Sequence, residues 1–248
     1  MNDYLEALRV QRWDDHRYYH HSRINQSLHL VSAISFLFAY VLVLKDPAIA
    51  ALIGWLMAMT SRQIGHFFFE PRDYDVVNYA SHEYKEEIKV TYNLRRKVVL
   101  MAIWAVSPLP LHFDSTYFGI FSPHAGTAEF VRHVAQIWLV VGVGGLLFRT
   151  AQHFFLKDMQ TALVWATKIL TDPFHDIKLY HRAPLFLLPG EWIDQAIGEP
   201  DEVREQASLF SPGICWSGSI TNRSFWEVQT LQMYSYGVRP FSILRRRP

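Results

Sequence analysis

Long apolar stretches dominate the first two thirds of the chain. Residues 28–44 carry no charge, and the run stops at Lys45-Asp46-Pro47. Residues 48–69 follow, with Arg62 and His66 near the end as their only ionisable side chains. A weaker block, 98–113, contains Pro108 and Pro110, and a fourth, 134–156, carries Arg149 and His153 near its end. One bilayer crossing takes roughly 20 apolar residues, with a range of about 17–25. The pattern predicts an all-α, polytopic membrane protein with about four transmembrane helices. The third is short, and is either re-entrant or broken by its prolines.

Beyond residue 156 the pattern changes. Ala162, Val164, Trp165, Ile169 and Leu170 suit a helix lying in the membrane interface, as does Leu185-Phe186-Leu187-Leu188 ahead of Pro189-Gly190. Gly198-Glu199-Pro200 and Ser211-Pro212-Gly213 are turn signals. The expected organisation is a membrane helical domain, 1–156, and an amphipathic to soluble cytoplasmic extension, 157–248.

Basic residues orient the spans. Arg9, Arg12, Arg17 and Arg23 precede the first block, and Arg72, Lys85, Lys89, Arg95, Arg96 and Lys97 follow the second. The turn between blocks one and two has only Lys45, and the loop between blocks three and four only Arg132. Both termini and the middle loop are therefore expected on the cytoplasmic side, in the endoplasmic reticulum of a eukaryote or the inner membrane of a bacterium.

Composition adds exclusions. The formal net charge is +1, so no nucleic-acid partner is expected. Cys215 is the only cysteine, which excludes an intrachain disulfide and a thiolate metal cluster. The N-terminal segment, charged and aromatic, lacks the apolar core of a cleaved signal peptide.

Twelve histidines are present, and their depth matters more than their number. His29 opens block one, while His66 closes block two and His153 closes block four. The alternating topology puts all three at the cytoplasmic boundary. Ionisable residues in spans are costly and mark candidate sites. His66 and Glu70, four apart, project from one helix face about 6 Å apart along the axis. They can share a metal, or the carboxylate can orient the imidazole from behind. His21 and His29 would lie about 12 Å apart along a straight helix, too far for one ion. The expected resolution is a helix beginning at an Asn25 N-cap, with His21 folding back on a loop. Imidazole and carboxylate without thiolate suit non-haem iron, with zinc as the alternative. Asp172-Pro173-Phe174-His175-Asp176 and Tyr180-His181 offer either further ligands or interfacial polar anchors.

Two stretches carry a family resemblance. Tyr19-His20-His21-Ser22-Arg23-Ile24-Asn25-Gln26-Ser27-Leu28-His29 resembles the opening signature of the yeast-type 2-hydroxy fatty acid dioxygenases, a paired histidine followed by asparagine and histidine before the first span. Gly65-His66-Phe67-Phe68-Phe69-Glu70 resembles their second signature, at the end of a later span. The resemblance covers about the first third of the chain. It departs at Pro71, where the family continues with a short basic run. It implies a membrane enzyme that uses ferrous iron (Fe2+) with dioxygen as co-substrate and shortens a 2-hydroxy fatty acid by one carbon. The implied metal residues are His20, His21, His29, His66 and Glu70, with Asn25 in support. His153 joins the candidate ligands by its depth. His29, His66 and Glu70 are the candidate catalytic residues.

Two other readings stand beside this one. A membrane di-iron hydroxylase or desaturase would use His16 and His20, four apart, but the His-x-x-His-His box of those enzymes is absent. A non-catalytic membrane scaffold would use its histidines as interface anchors.

Overall fold

The computed structural model describes residues 2–194 apart from 71, 73, 76, 77, 79 and 90–93. The turn signals at 198–200 and 211–213, and Cys215, lie outside the described residues. The described residues belong to one compact unit, Met1–Glu199. They form helices without strands, as the hydrophobic pattern predicted, with two isolated bridges, Ser22 to Ile193 and Asp75 to Ala80.

Helix α1, Asn2–Tyr19, is polar along much of its length. Helix α2, Arg23–Leu42, is the first apolar block. Its start differs from the sequence expectation. Ser22 is the N-cap, in extended conformation, and its hydroxyl accepts from the Asn25 amide at 3.4 Å. Asn25 is instead inside the first turn, where its side chain donates to the Tyr19 carbonyl at 2.8 Å. A serine in this position satisfies one of the amides that a helix start leaves open.

Asp46 ends the following turn and caps α3, Pro47–Leu52, by accepting from the amides of Ala48 and Ile49. The chain stays helical through a π segment, Ile53–Met59, into α4, Thr60–Phe68. The block 48–69 is thus one helical run with altered winding in its middle. The π stretch presents Trp55, whose indole donates to the Trp138 carbonyl at 2.7 Å. Thr60 ends this winding, giving both its backbone amide and its hydroxyl, the latter at 2.9 Å, to Trp55 O.

The block 98–113 is broken, one of the two forms its prolines allowed. It gives α6, Leu94–Val106, of 13 residues, and a separate four-residue α7, Pro110–Phe113. Pro108 disfavours a helical conformation for Ser107, and neither proline can donate to a continuing helix. No single helix of spanning length forms there. Helix α5, His82–Ile88, precedes α6.

Helix α8, Thr127–Leu156, extends over 30 residues and packs against α3 through Ala48, Ala51 and Ala135. These small side chains allow close approach, and Arg132 fixes the register with two bonds to Asp46, at 2.8 and 3.1 Å. Helices α2 and α8 are each long and apolar enough to cross a membrane. Large apolar side chains remain exposed on both, including Phe38 and Val41 on α2 and Val140, Leu147 and Phe148 on α8. Exposed apolar surface on this scale fits lipid contact better than water.

Helix α9, Met159–Tyr180, and α10, Ala183–Leu187, complete the described fold. Tyr40 on α2 donates to Leu170 O at 3.1 Å, and Tyr4 on α1 meets the Thr167 hydroxyl at 2.5 Å. The stretch 159–187 is therefore packed onto the helices that precede it, and it closes over the start of α2.

Candidate metal centre

Three imidazoles meet where α2 begins and α4 ends. His20, His29 and His66 are all buried, and one potential ligand atom from each lies within 4.8 Å of the others. The local chain explains the convergence. The Ser22 cap turns the backbone sharply before α2, so His20 folds back over the helix. Gln26 holds it there by donating to the His20 carbonyl at 2.8 Å. Arg23 pins the same turn through Glu191 at 2.6 Å and Asp194 at 2.8 Å. His29 follows two turns along α2.

Helix α4 brings His66 alongside through a close approach. A Cβ on Gly65 would stand 2.1 Å from Asn25 Oδ1. Only glycine lets α4 come this near to α2.

The ring centroids are 4.1 Å apart for His20 and His29, 4.9 Å for His29 and His66, and 5.4 Å for His20 and His66. Nε2 of His20 faces Nε2 of His29 at 3.1 Å. Two nitrogens bound to one ion at about 2.1 Å, with ordinary tetrahedral or octahedral angles, stand about 3.0–3.4 Å apart. The same separation also suits an N–H···N bond between two neutral rings. The Nδ1 atoms of His20 and His29 are both buried without a hydrogen-bond partner. The grouping of one ring nitrogen from each of the three histidines, rather than these Nδ1 atoms, is what fits a metal ion. Burial, with the neighbouring His29 next, holds His20 well below its ordinary pKa, and so keeps it in the neutral form a ligand needs.

Carboxylates stand behind two of the three rings. Glu70 Oε2 is 2.7 Å from His66 Nδ1, and Asp176 Oδ2 is 3.6 Å from His29 Nδ1. The Glu70 bond fixes the orientation of the His66 ring, whereas Asp176 lies beyond hydrogen-bond distance of His29. Asp176 in turn accepts from Arg62 at 3.3 Å. Lys168 donates to Asp172 at 2.7 Å and Asp15 at 3.1 Å. Burial alone would raise Asp15, but the cations around it, Lys168 first, together outweigh burial and hold the carboxyl well below its usual range. Tyr180 closes the site from α9. Its hydroxyl meets His16 Nδ1 at 2.9 Å, and its ring lies 5.7 Å from that of His20.

The sequence candidates therefore separate. His20, His29 and His66 come together, and Glu70 stands behind His66. His21 turns away, its Nε2 3.1 Å from Asp75 Oδ2. His153 is buried at the end of α8, 5.6 Å from the Trp165 ring, and outside the triad. His16 faces Tyr180 rather than a second ion. Asp176 and Tyr180, noted only as possible additions, are part of the surround. Asp172 belongs with them, while Arg62 and Lys168 were not foreseen as part of the site. For Lys168 the signal was the four-residue repeat Lys168, Asp172, Asp176, Tyr180, one polar stripe along an otherwise apolar helix.

No protein-family model, no curated protein and no solved structure matches this chain.

Proposed function

We propose that this protein is a membrane-embedded, ferrous-iron-dependent dioxygenase that shortens a 2-hydroxy fatty acid by one carbon. The observation that carries the reading is the buried triad, His20, His29 and His66, with carboxylates behind two of its rings. An all-nitrogen set without thiolate, with carboxylate support, suits iron or zinc. The resemblance of 19–29 and 65–70 to the dioxygenase signatures favours iron and a hydroxy-acid substrate.

In this reading His20, His29 and His66 hold the metal, while Glu70 orients His66. Ferrous iron, if bound there, would supply the activation of dioxygen. The chain's own part is to keep three neutral imidazoles converged and shielded from water. The proposed topology has four spans with cytoplasmic termini. The helical run 47–68 and the α6–α7 region accompany α2 and α8, and the acyl chain rests among the helices. A di-iron enzyme is disfavoured because the described residues contain one group of metal-ligating side chains, with three histidines.

The test is metal analysis of the purified protein, followed by oxygen uptake with matched 2-hydroxy and unsubstituted fatty acids. About one iron per chain and an acid product one carbon shorter support the proposal. Two irons move it to the di-iron hydroxylase, and no bound metal to the scaffold. Zinc without oxygen uptake also removes the dioxygenase.

A further inference from the structure

The segment that follows α9 has an inverted arrangement of polar and apolar groups. Its inner side is a set of polar bonds to the turn that leads into α2. Arg23 N donates to Trp192 O at 2.9 Å, and Asp194 N to His21 O at 2.8 Å. The Arg23 guanidinium binds Glu191 and Asp194, and lies 4.3 Å from the centre of the Phe186 ring. The buried Asp194 carboxylate also accepts from Gln26 Nε2 at 3.0 Å, and the same amide donates to the His20 carbonyl. Residues 183–194 are thus a strap across the turn that delivers His20 to the triad.

The outer side of the strap is apolar. Leu185, Phe186, Leu188, Trp192 and Ile193 are all exposed, Leu188 to 83 %. A strap facing water would present its polar side outward. Exposed apolar side chains gathered on so short a segment mark a contact surface. What adjoins the patch identifies its occupant. The strap is joined through the bridge of Ser22 and Ile193 to the start of α2, a helix long and apolar enough to cross a membrane, whose Val31, Ile34 and Phe38 are exposed in turn. Ahead of the strap, Lys178 and Arg182 are exposed cations. Apolar side chains, an indole and flanking cations are what the boundary between lipid headgroups and acyl chains accepts.

We propose that residues 183–194 dock on the lipid surface at the headgroup boundary, and that this contact holds the His20 turn in its metal-binding form. The inference rests on the metal centre and on membrane association, and not on the reaction. Lipid favours the docked strap, the docked strap fixes Arg23 and Gln26, and Gln26 fixes His20. A metal held by His20 is therefore bound more tightly when the strap is docked.

Two measurements on the full-length protein in lipid nanodiscs test this. In the first, Leu188→Cys in a Cys215→Ser background carries a nitroxide, and its collisions with dioxygen and with a water-soluble nickel chelate are compared by electron paramagnetic resonance. Dioxygen, which concentrates in lipid, should dominate. Dominance of the chelate puts the strap in water and overturns the proposal. In the second, Co2+ is titrated into each protein. Leu188→Ser with Trp192→Ser should bind it about 5- to 150-fold more weakly than wild type, the usual span of such coupling. Leu188→Ile with Trp192→Phe should bind it as wild type does. Equal affinity of the serine variant and wild type overturns the proposal, as does equal loss in both double variants, which marks packing rather than lipid contact. Should the serine variant fail to fold, wild type in detergent is compared with wild type in nanodiscs, and equal Co2+ affinities overturn the proposal. Wild type that binds no Co2+ overturns the metal centre and this coupling with it. Lipid-dependent Co2+ binding without oxygen uptake supports the strap and counts against the dioxygenase alone.

Discussion

His66 presents Nδ1 to the Glu70 carboxylate at 2.7 Å, one turn further along the chain. That contact assigns the proton to Nδ1 and leaves Nε2 as the nitrogen available to a metal. The pair is thus a ligand and its orienting group rather than two ligands. Glu70→Gln should weaken metal binding by about 10- to 100-fold without abolishing it. Asp176→Asn should leave metal affinity nearly unchanged, since Asp176 stands 3.6 Å from His29 Nδ1, beyond hydrogen-bond distance. Metal titration of each variant, read as affinity, checks this. Complete loss of metal in Glu70→Gln would make the carboxylate a direct ligand.

The triad itself should respond differently from the other candidate histidines, His21 and His153. His20→Ala, His29→Ala and His66→Ala should each remove the bound metal, whereas His21→Ala and His153→Ala should retain it. Elemental analysis of purified variants decides the matter. The pair His20 and His21 makes the sharpest comparison, since adjacent residues are assigned opposite outcomes from the 3.1 Å contacts of His20 with His29 and His21 with Asp75.

Gly65→Ala should destabilise the protein by about 1–3 kcal/mol, the usual range for a methyl forced into a packed site. The new Cβ would meet Asn25 Oδ1 at 2.1 Å, and His29 Cδ2 lies 3.6 Å from the same point. Adding Asn25→Ala should recover part of the loss by removing the clashing amide. Unfolding in detergent, run as a double-mutant cycle, measures the coupling. Additive effects would mean that the approach of α2 and α4 is not limited at this contact.

Asp15 links acid stability to the charge network. Burial opposes its ionisation, but Lys168 and Arg62 more than compensate and hold it below its ordinary value of 3.8. The folded protein therefore ionises Asp15 more readily than the unfolded chain does. Its stabilisation is complete above about pH 4, and is lost as pH falls from there toward the folded value. Asp15→Asn should lower stability at neutral pH and flatten the decline on the acid side. Unfolding measured from about pH 6 down to about pH 3 tests the sign. An unchanged acid limb would show that Asp15 contributes nothing to it.

The helical class and the membrane-length blocks were legible in the sequence because both depend on runs of neighbouring residues. A stretch such as 28–44 has nowhere to place its apolar side chains except core or lipid, and its length favours lipid. Depth was legible for the same reason: His29 and His66 sit at block ends that an antiparallel hairpin brings to one level. The fate of the proline-containing block was only partly legible, since a re-entrant and a broken helix share one composition.

The choice among the histidines was not available from the chain alone. His20 and His21 have the same chemistry and adjacent positions, and spacing favoured folding His21 back from an Asn25 cap. The tertiary structure decided for His20, because capping at Ser22 starts α2 three residues earlier and Gln26 ties down the His20 carbonyl. Likewise Asp176 is 147 positions from His29 in the sequence, and no local rule relates them. They meet because α9 packs over the start of α2, which is a matter of burying area between distant segments. The sequence by itself determined which segments seek an apolar environment and which polar residues reach the boundary. Only the packing of helices decided which imidazoles converge and which carboxylates stand behind them, since those contacts are set by side-chain fit across elements rather than by periodicity within one.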